Sequence, residues 1–459
     1  MRMTFTSSFF LLGILPLFVL LYRWGGKKPG VRKALLLVTD VLFLIWGGVG
    51  AFLVLLAYIV LAWGWTALVS RAGKKWVFAL AVAAEAAPLV AIKYTAFLTD
   101  TLNAVLGCSL AAPSLIVPLG ISFVTFQALS LLADVRKGRI QGAPNLLQVC
   151  LYLTFFPTVT SGPILRYQEF LAGLNQEAGP GDLSAGMERI LIGLCKKVLV
   201  ADKIAALTEY YFTGVGLGNS FSVPGLWIGS VAYSLQLYYD FSGYSDMAVG
   251  IGQLLGFRIR ENFNRPYLAG SLTEFWRRWH MSLTEWFRDY VYIPLGGNRC
   301  APARHLFNML VVWLLTGLWH GAGWTFVLWG LGYFVLLSAE KYLPLPQGKG
   351  GKLLGHIYTL IFVNLLWVLF RSPSLAVFGR YVAGMFGGGS GALEYKALRF
   401  IPLLALAAVL CLPWGRWLSG FSGKKWFSIL RGLLLLILLV LALSAVVNAS
   451  YVPYIYGNF

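Results

Sequence analysis

Two histidines carry the chemistry this sequence could do. His320 stands in LLTGLWHGAGW (Leu314–Trp324), where Leu310–Trp319 is apolar apart from Thr316 and Gly317. His280 stands in ENFNRPYLAGSLTEFWRRWHMSLTEWFRDYVYIPLGGNR (Glu261–Arg299), a segment dense in charge and tryptophan inside a greasy chain. An ionisable side chain within an apolar segment is expensive, and so marks a functional site by default. A neutral imidazole is the form that accepts a proton from a hydroxyl, so the chemistry expected at His320 is general-base catalysis. His280 alone reads equally well as a satisfied polar residue of an interfacial helix. Of the 4 histidines, the remaining two read as ordinary: His305 lies in a basic loop and His356 at the end of an apolar run. The expectation is that His280 and His320 share one buried site.

The elements that must position them can be read from spacing. Leu272, Phe275, Trp276, Trp279, Leu283, Trp286, Phe287 and Tyr290 form one apolar stripe at helical period, predicting a helix over Leu272–Tyr290 with His280 at the stripe's edge. Ser271-Leu-Thr-Glu274 is a capping-box pattern at its start. Gly317, Gly321 and Gly323 bracket His320 and permit close helix packing or close approach of a ligand. Other polar groups could line the same cavity: Asp240, Tyr244 and Asp246 in QLYYDFSGYSDMA, with Asn262, Asn264 and Gln127. With Trp279 and Trp319 beside the histidines, Asp240, Tyr244, Asp246, Asn262 and Gln127 form the candidate substrate-binding set. An aspartate could orient a histidine tautomer, although spacing alone does not say which group meets which.

Several chemistries lose support. There is no G-x-S-x-G elbow, Walker A loop, G-x-G-x-x-G after a strand, or H-E-x-x-H. The 5 cysteines are scattered without a CxxC, so neither a metal site nor a disulfide framework is expected.

Composition places the site in a membrane. The 459 residues are 58% hydrophobic and 12% charged, against about 25% charged in soluble domains. Several apolar runs reach the roughly 20 residues a bilayer crossing needs. Without period-two alternation, helices are the spanning structure that satisfies the backbone in lipid. The reading is a single all-α, multi-pass domain over residues 1–459 in the cell membrane, with roughly ten to twelve crossings or re-entrant helices (a count from hydropathy). Ala34–Trp63 is too long for one crossing and is expected to break at Gly47–Gly50. Glu85, Pro88 and Lys93 interrupt another apolar run, and Leu183–Leu207 reads as a basic amphipathic helix on the membrane face. The 37 Lys+Arg against 18 Asp+Glu gather in short loops, which is the positive-inside asymmetry and not a nucleic-acid surface.

At PLGISFVTFQ (Pro118–Gln127), FFPTVTSGPILRY (Phe155–Tyr167), YYDFSGYSDMAVGIGQLLGF (Tyr238–Phe257), the Asn262–Arg299 block and LLTGLWHGAGWTFVLWG (Leu314–Gly330), the chain resembles the membrane-bound O-acyltransferase family. Specifically it resembles the bacterial branch that acetylates polysaccharides such as alginate. FTSSFFLLGILPLF near the start and VPYIYGNF at the end carry the likeness along the whole chain. The resemblance implies a ring of tilted helices around a central tunnel, with His320 as principal catalytic histidine and His280 as the second. It implies no bound cofactor, a cytoplasmic thioester donor (acetyl-CoA or an acyl carrier protein), and an extracytoplasmic SGNH-type acetyltransferase partner. His280 would position or polarise the donor. The alternatives are D-alanyl transfer to teichoic acid within the same family, signalled by the shared TSGPI and RWHMSL segments, and a transporter or flippase.

Overall fold

The computed structural model describes residues 5–25, 28–113, 115–175, 183–343, 348–389 and 391–448; the VPYIYGNF ending lies outside them. Among the described residues every regular element is a helix, and the protein is an all-α, polytopic membrane protein. Val49–Ala72, Lys75–Leu106, Gly348–Arg371 and Lys425–Asn448 are each long and apolar enough to cross a bilayer.

The chain divides into two compact units. The first takes in Met1–Ile190 and Ser245–Arg260, the second Leu191–Tyr244 and Glu261–Ile455.

In the first unit the expected break in the long apolar run is present. Pro29–Ile45 ends, and Val49–Ala72 begins after Gly48, whose φ of 120 suits glycine alone. Val49–Ala72, Lys75–Leu106 and Ile121–Arg136 pack on one another, around a core of Val69, Val77, Ala81 and Leu132. Buried Asp40 accepts hydrogen bonds from the Phe156 amide (2.8 Å) and the Thr154 hydroxyl (3.2 Å), which steadies the chain where FFPTVTSG leaves helical form.

In the second unit two helices are joined by an extended corner, Pro302–His320 and Trp324–Tyr342, and they cross closely. A Cβ on Gly330 would stand 2.3 Å from the Trp313 carbonyl oxygen, and one on Gly317 would stand 2.4 Å from that of Phe326. Glycine at both positions lets the backbones touch, the small-residue packing used where lipid removes any hydrophobic drive between helices. His305 belongs to the first turns of this helix and not to a loop, with its ring between the Tyr342 and Tyr292 hydroxyls at 2.9 and 3.0 Å.

Within the basic segment Leu183–Leu207, Lys197 departs from the expected solvated face. A π-helical turn at Lys196–Ala201 shifts the helix phase. Lys197, 1% exposed, is carried inward between Asp240 (2.7 Å) and Asp202 (2.8 Å). Two carboxylates for one ammonium outweigh the tendency of a lysine to face water.

Candidate active site

The segment around His280 is not one helix. Leu272–Trp276 and Met281–Phe287 are separate, and His280 itself takes the left-handed conformation (φ 44, ψ 53). For a side chain with a Cβ that conformation costs about 1–2 kcal/mol, so something must hold it. The holding comes from Asn262–Asn264, far back in the chain. The Asn264 amide donates to the Arg278 carbonyl (2.8 Å) and the Met281 amide to the Asn262 carbonyl (2.9 Å), using backbone groups that a continuous helix would have consumed. Thr284 Oγ1 closes the end of the first helix by donating to the Trp276 carbonyl at 3.1 Å. Half of the capping box forms: Ser271 Oγ accepts from the Glu274 amide, while the Glu274 carboxylate accepts from Gly270.

The same asparagine sets the tautomer of His280. The side-chain oxygen of Asn262 accepts from the Ser282 amide (3.2 Å) and hydroxyl (2.9 Å), and it lies 3.1 Å from His280 Nδ1. A backbone N–H can only donate, which fixes the amide oxygen in that direction. Nδ1 therefore carries the hydrogen, and Nε2 is the lone-pair nitrogen of the neutral ring. The tautomer-setting partner is an amide, where sequence reading looked to an aspartate.

His320 is the last residue of its helix and is 1% exposed. Rings wrap it: Trp319 at 4.7 Å, Trp329 at 5.0 Å and Phe370 at 5.2 Å between centroids. Gly321 makes that wrapping possible, because a Cβ there would overlap the Phe326 ring that packs on Phe370. His280, also fully buried, meets Phe241 edge-on at 4.6 Å and the Trp319 indole at 5.9 Å. The two imidazoles thus lie against one indole.

The remaining candidates divide. Asn262 and Trp319 touch the histidines directly. Asp240, held by Lys197, precedes the Phe241 that walls His280. Tyr244 is buried one turn further along that helix. Trp279 is enclosed in an aromatic core, stacked on Phe275 at 5.5 Å and set 5.0 Å from Trp367. Gln127 and Asp246 belong to the first unit, where Asp246 pairs with Arg189 at 2.6 Å. Sequence reading missed Ser282, Phe241, Trp329 and Phe370. Ser282 sits two residues after His280 and was legible as a polar neighbour; the three rings gave no signal in a chain that is 15% aromatic.

A cavity of about 360 Å³ opens beside the His320 helix, floored by Trp276, Trp313 and Thr316 and rimmed by exposed Arg277, Arg288 and Lys341. Thr316 lies one helical turn before His320. Trp276 packs on Trp329 (5.8 Å), the ring that covers His320. The cavity joins a cationic mouth to an aromatic floor; His280 and His320 stand beside it and do not line it. Among the described residues no cluster of three or more His, Cys, Asp or Glu is placed to hold a metal.

The sequence is similar to those of known proteins. Residues 122–377 match the family model described as MBOAT, membrane-bound O-acyltransferase family. The probable alginate O-acetylase AlgI of Pseudomonas putida is 35% identical across 100% of both chains. A peptidoglycan O-acetyltransferase of Helicobacter pylori is 36% identical over 64% of this chain and 62% of its own. A teichoic acid D-alanyltransferase of Bacillus subtilis is 29% identical over 79% of this chain and 95% of its own. The protein belongs to the membrane-bound O-acyltransferase family and is a multi-pass membrane acyltransferase.

Proposed function

We propose that this enzyme takes an acetyl group from a cytoplasmic thioester, acetyl-CoA or a loaded acyl carrier protein, and delivers it for O-acetylation of an exported or cell-wall polysaccharide. An SGNH-type acetyltransferase outside the membrane is its proposed partner, and residues 1–459 act as one catalytic domain. The family match straddles both compact units, which supports the single-domain reading.

The observation that carries the proposal is the pair of buried imidazoles on one indole, one turn beyond a cavity with a basic mouth. Arg277, Arg288 and Lys341 suit a phosphate-bearing donor, and their positive charge supports a cytoplasmic location for that mouth. His320 takes the proton of the acceptor hydroxyl as its oxygen adds to the thioester carbonyl. The C–S bond then breaks, and the proton passes to the departing thiolate. General-base assistance of this kind supplies roughly 10²- to 10⁴-fold in rate. His280, with Nδ1–H committed to Asn262, offers a lone pair at Nε2. That suits it to accept from a donor N–H or hydroxyl and so position the substrate, whereas polarising a carbonyl would require an N–H at Nε2.

Acetyl is preferred over D-alanyl because the likeness to the alginate O-acetylase spans 100% of both chains at 35% identity, against 29% over 79% of this chain for the D-alanyltransferase. The test uses membranes containing the full chain and acetyl-CoA labelled in the acetyl group, with and without the SGNH-type partner. Label reaching polysaccharide, and lost in His320→Ala, is the expected result. Transfer only from a D-alanyl carrier protein would replace the reading with its rival. Solute flux into proteoliposomes with no thioester consumed would replace it with transport.

A further inference from the structure

A carboxyl group that acyl transfer does not use lies in the first unit. Glu85 sits inside the membrane-crossing helix Lys75–Leu106 and is 0% exposed. Neither of its carboxyl oxygens has a hydrogen-bond partner among the described residues. Pro88 follows within the next turn, and a proline inside a helix removes one ladder bond and crowds the preceding turn. The bond left out here is the one to the Ala84 carbonyl; one residue on, the backbone carbonyl of Glu85 accepts a hydrogen bond from the Tyr58 hydroxyl at 3.3 Å. The Thr125 hydroxyl adjoins that phenol. Tyr58, Glu85 and Thr125, all buried, come from three helices that pack on one another.

Among the described residues no ion pair reaches Glu85, and Lys75, at the start of its helix, is ten residues away. On the three helices, Arg71 lies in a last turn, Asp134 is tied to Arg139 at 2.9 Å, and Arg136 ends its helix. Lys93 and Asp100 share the helix of Glu85 but sit two turns or more beyond it. A bare carboxylate enclosed in hydrocarbon with no donor is the most costly state a side chain can adopt. A metal cation would need about six oxygens around it, and no cluster of metal-ligating side chains occurs among the described residues. A proton needs only the carboxyl itself. The proline supplies access, because a turn short of a hydrogen bond opens more readily than an intact one.

We propose that Glu85 is an exchangeable proton-binding site within the bilayer, placed where three helices meet beside the Tyr58 and Thr125 hydroxyls. It is a site separate in chemistry from thioester transfer, and its test does not read that activity. The full chain in lipid nanodiscs is compared with Glu85→Gln by infrared difference spectroscopy, in H₂O and after transfer to D₂O. The expected result is a protonated-carboxyl stretch present in wild type, absent in Glu85→Gln, and shifted by deuterium. A missing band overturns the proposal, and so does a band that never takes up deuterium, which would make the acid static. Dicyclohexylcarbodiimide gives an independent reading. The acid proton moves to a carbodiimide nitrogen while the carboxyl oxygen adds to the central carbon, and rearrangement leaves an N-acylurea with no leaving group. Peptide mass spectrometry should find that adduct at Glu85 and lose it in Glu85→Gln; labelling confined to other carboxylates counts against the site.

Discussion

The two histidines occupy unlike frames. His280 sits at a break between two short helices, in a strained left-handed conformation, and a polar network from Asn262 and Ser282 holds it. His320 ends a long helix in ordinary conformation, and aromatic rings and a glycine-lined crossing hold it. The difference separates two ways of fixing an imidazole. Hydrogen bonds choose which nitrogen is basic, whereas packing chooses where the ring stands. The difference fits the roles proposed above: a base at the acceptor needs position above all, and a substrate-positioning ring needs a defined tautomer.

That contrast can be broken at several points. The largest effect should come from His320→Ala, which is expected to lower acyl transfer by roughly 10²- to 10⁴-fold in membranes while the protein still inserts and folds. Wild-type transfer by this variant would end its assignment as the base. Next, Gly330→Ala forces a methyl against the Trp313 backbone and should cost about 1–3 kcal/mol, read as a lower melting temperature in detergent. Gly323→Ala is its control. The nearest contact there is 3.7 Å and the backbone is extended, so little change is expected.

Asn262→Ala tests the other frame. Losing the acceptor for His280 Nδ1 should cost about 1–3 kcal/mol, appearing as a fall in kcat larger than that of Ser282→Ala. Equal effects would mean that Asn262 matters for the fold alone. Substitutions at His280 separate strain from chemistry: Gly and Ala both remove the imidazole, but only Ala keeps the left-handed penalty of about 1–2 kcal/mol. His280→Gly should therefore melt higher than His280→Ala at equal loss of transfer. The smallest effects belong to the cavity mouth. Arg277→Ala or Lys341→Ala should raise KM for the donor a few-fold with kcat retained, and added salt should bring wild type toward the variants, since exposed charges act weakly and are screened.

Helical class, the break before Val49 and the glycine-flanked apolar setting of His320 were readable from the chain, because each rests on local signals: apolar run length, paired glycines and residue type. That the helix ends at His320 was not, and neither was the break at His280. The apolar stripe from Leu272 to Tyr290 is continuous, and what interrupts it is pairing with Asn262–Asn264, a tertiary contact that periodicity does not encode. Lys197 misled for the same reason. On a helical wheel it belongs to a solvated basic face, and only Asp240 and Asp202, brought together by a π turn, draw it inside. Asp240 was rightly singled out as a buried charge, but its identified partner is a lysine and not a histidine.

One dimension of the first unit has a reach beyond its own packing. Lys75–Leu106 runs 32 residues, about 48 Å at the usual rise, half as long again as a hydrocarbon layer of about 30 Å. The surplus is absorbed by leaning, by the bend at Pro88, or by thickening of nearby lipid. Acyl-chain length in the host membrane thereby becomes a variable of this protein's energetics, and vesicles of graded thickness should find an optimum on the thick side.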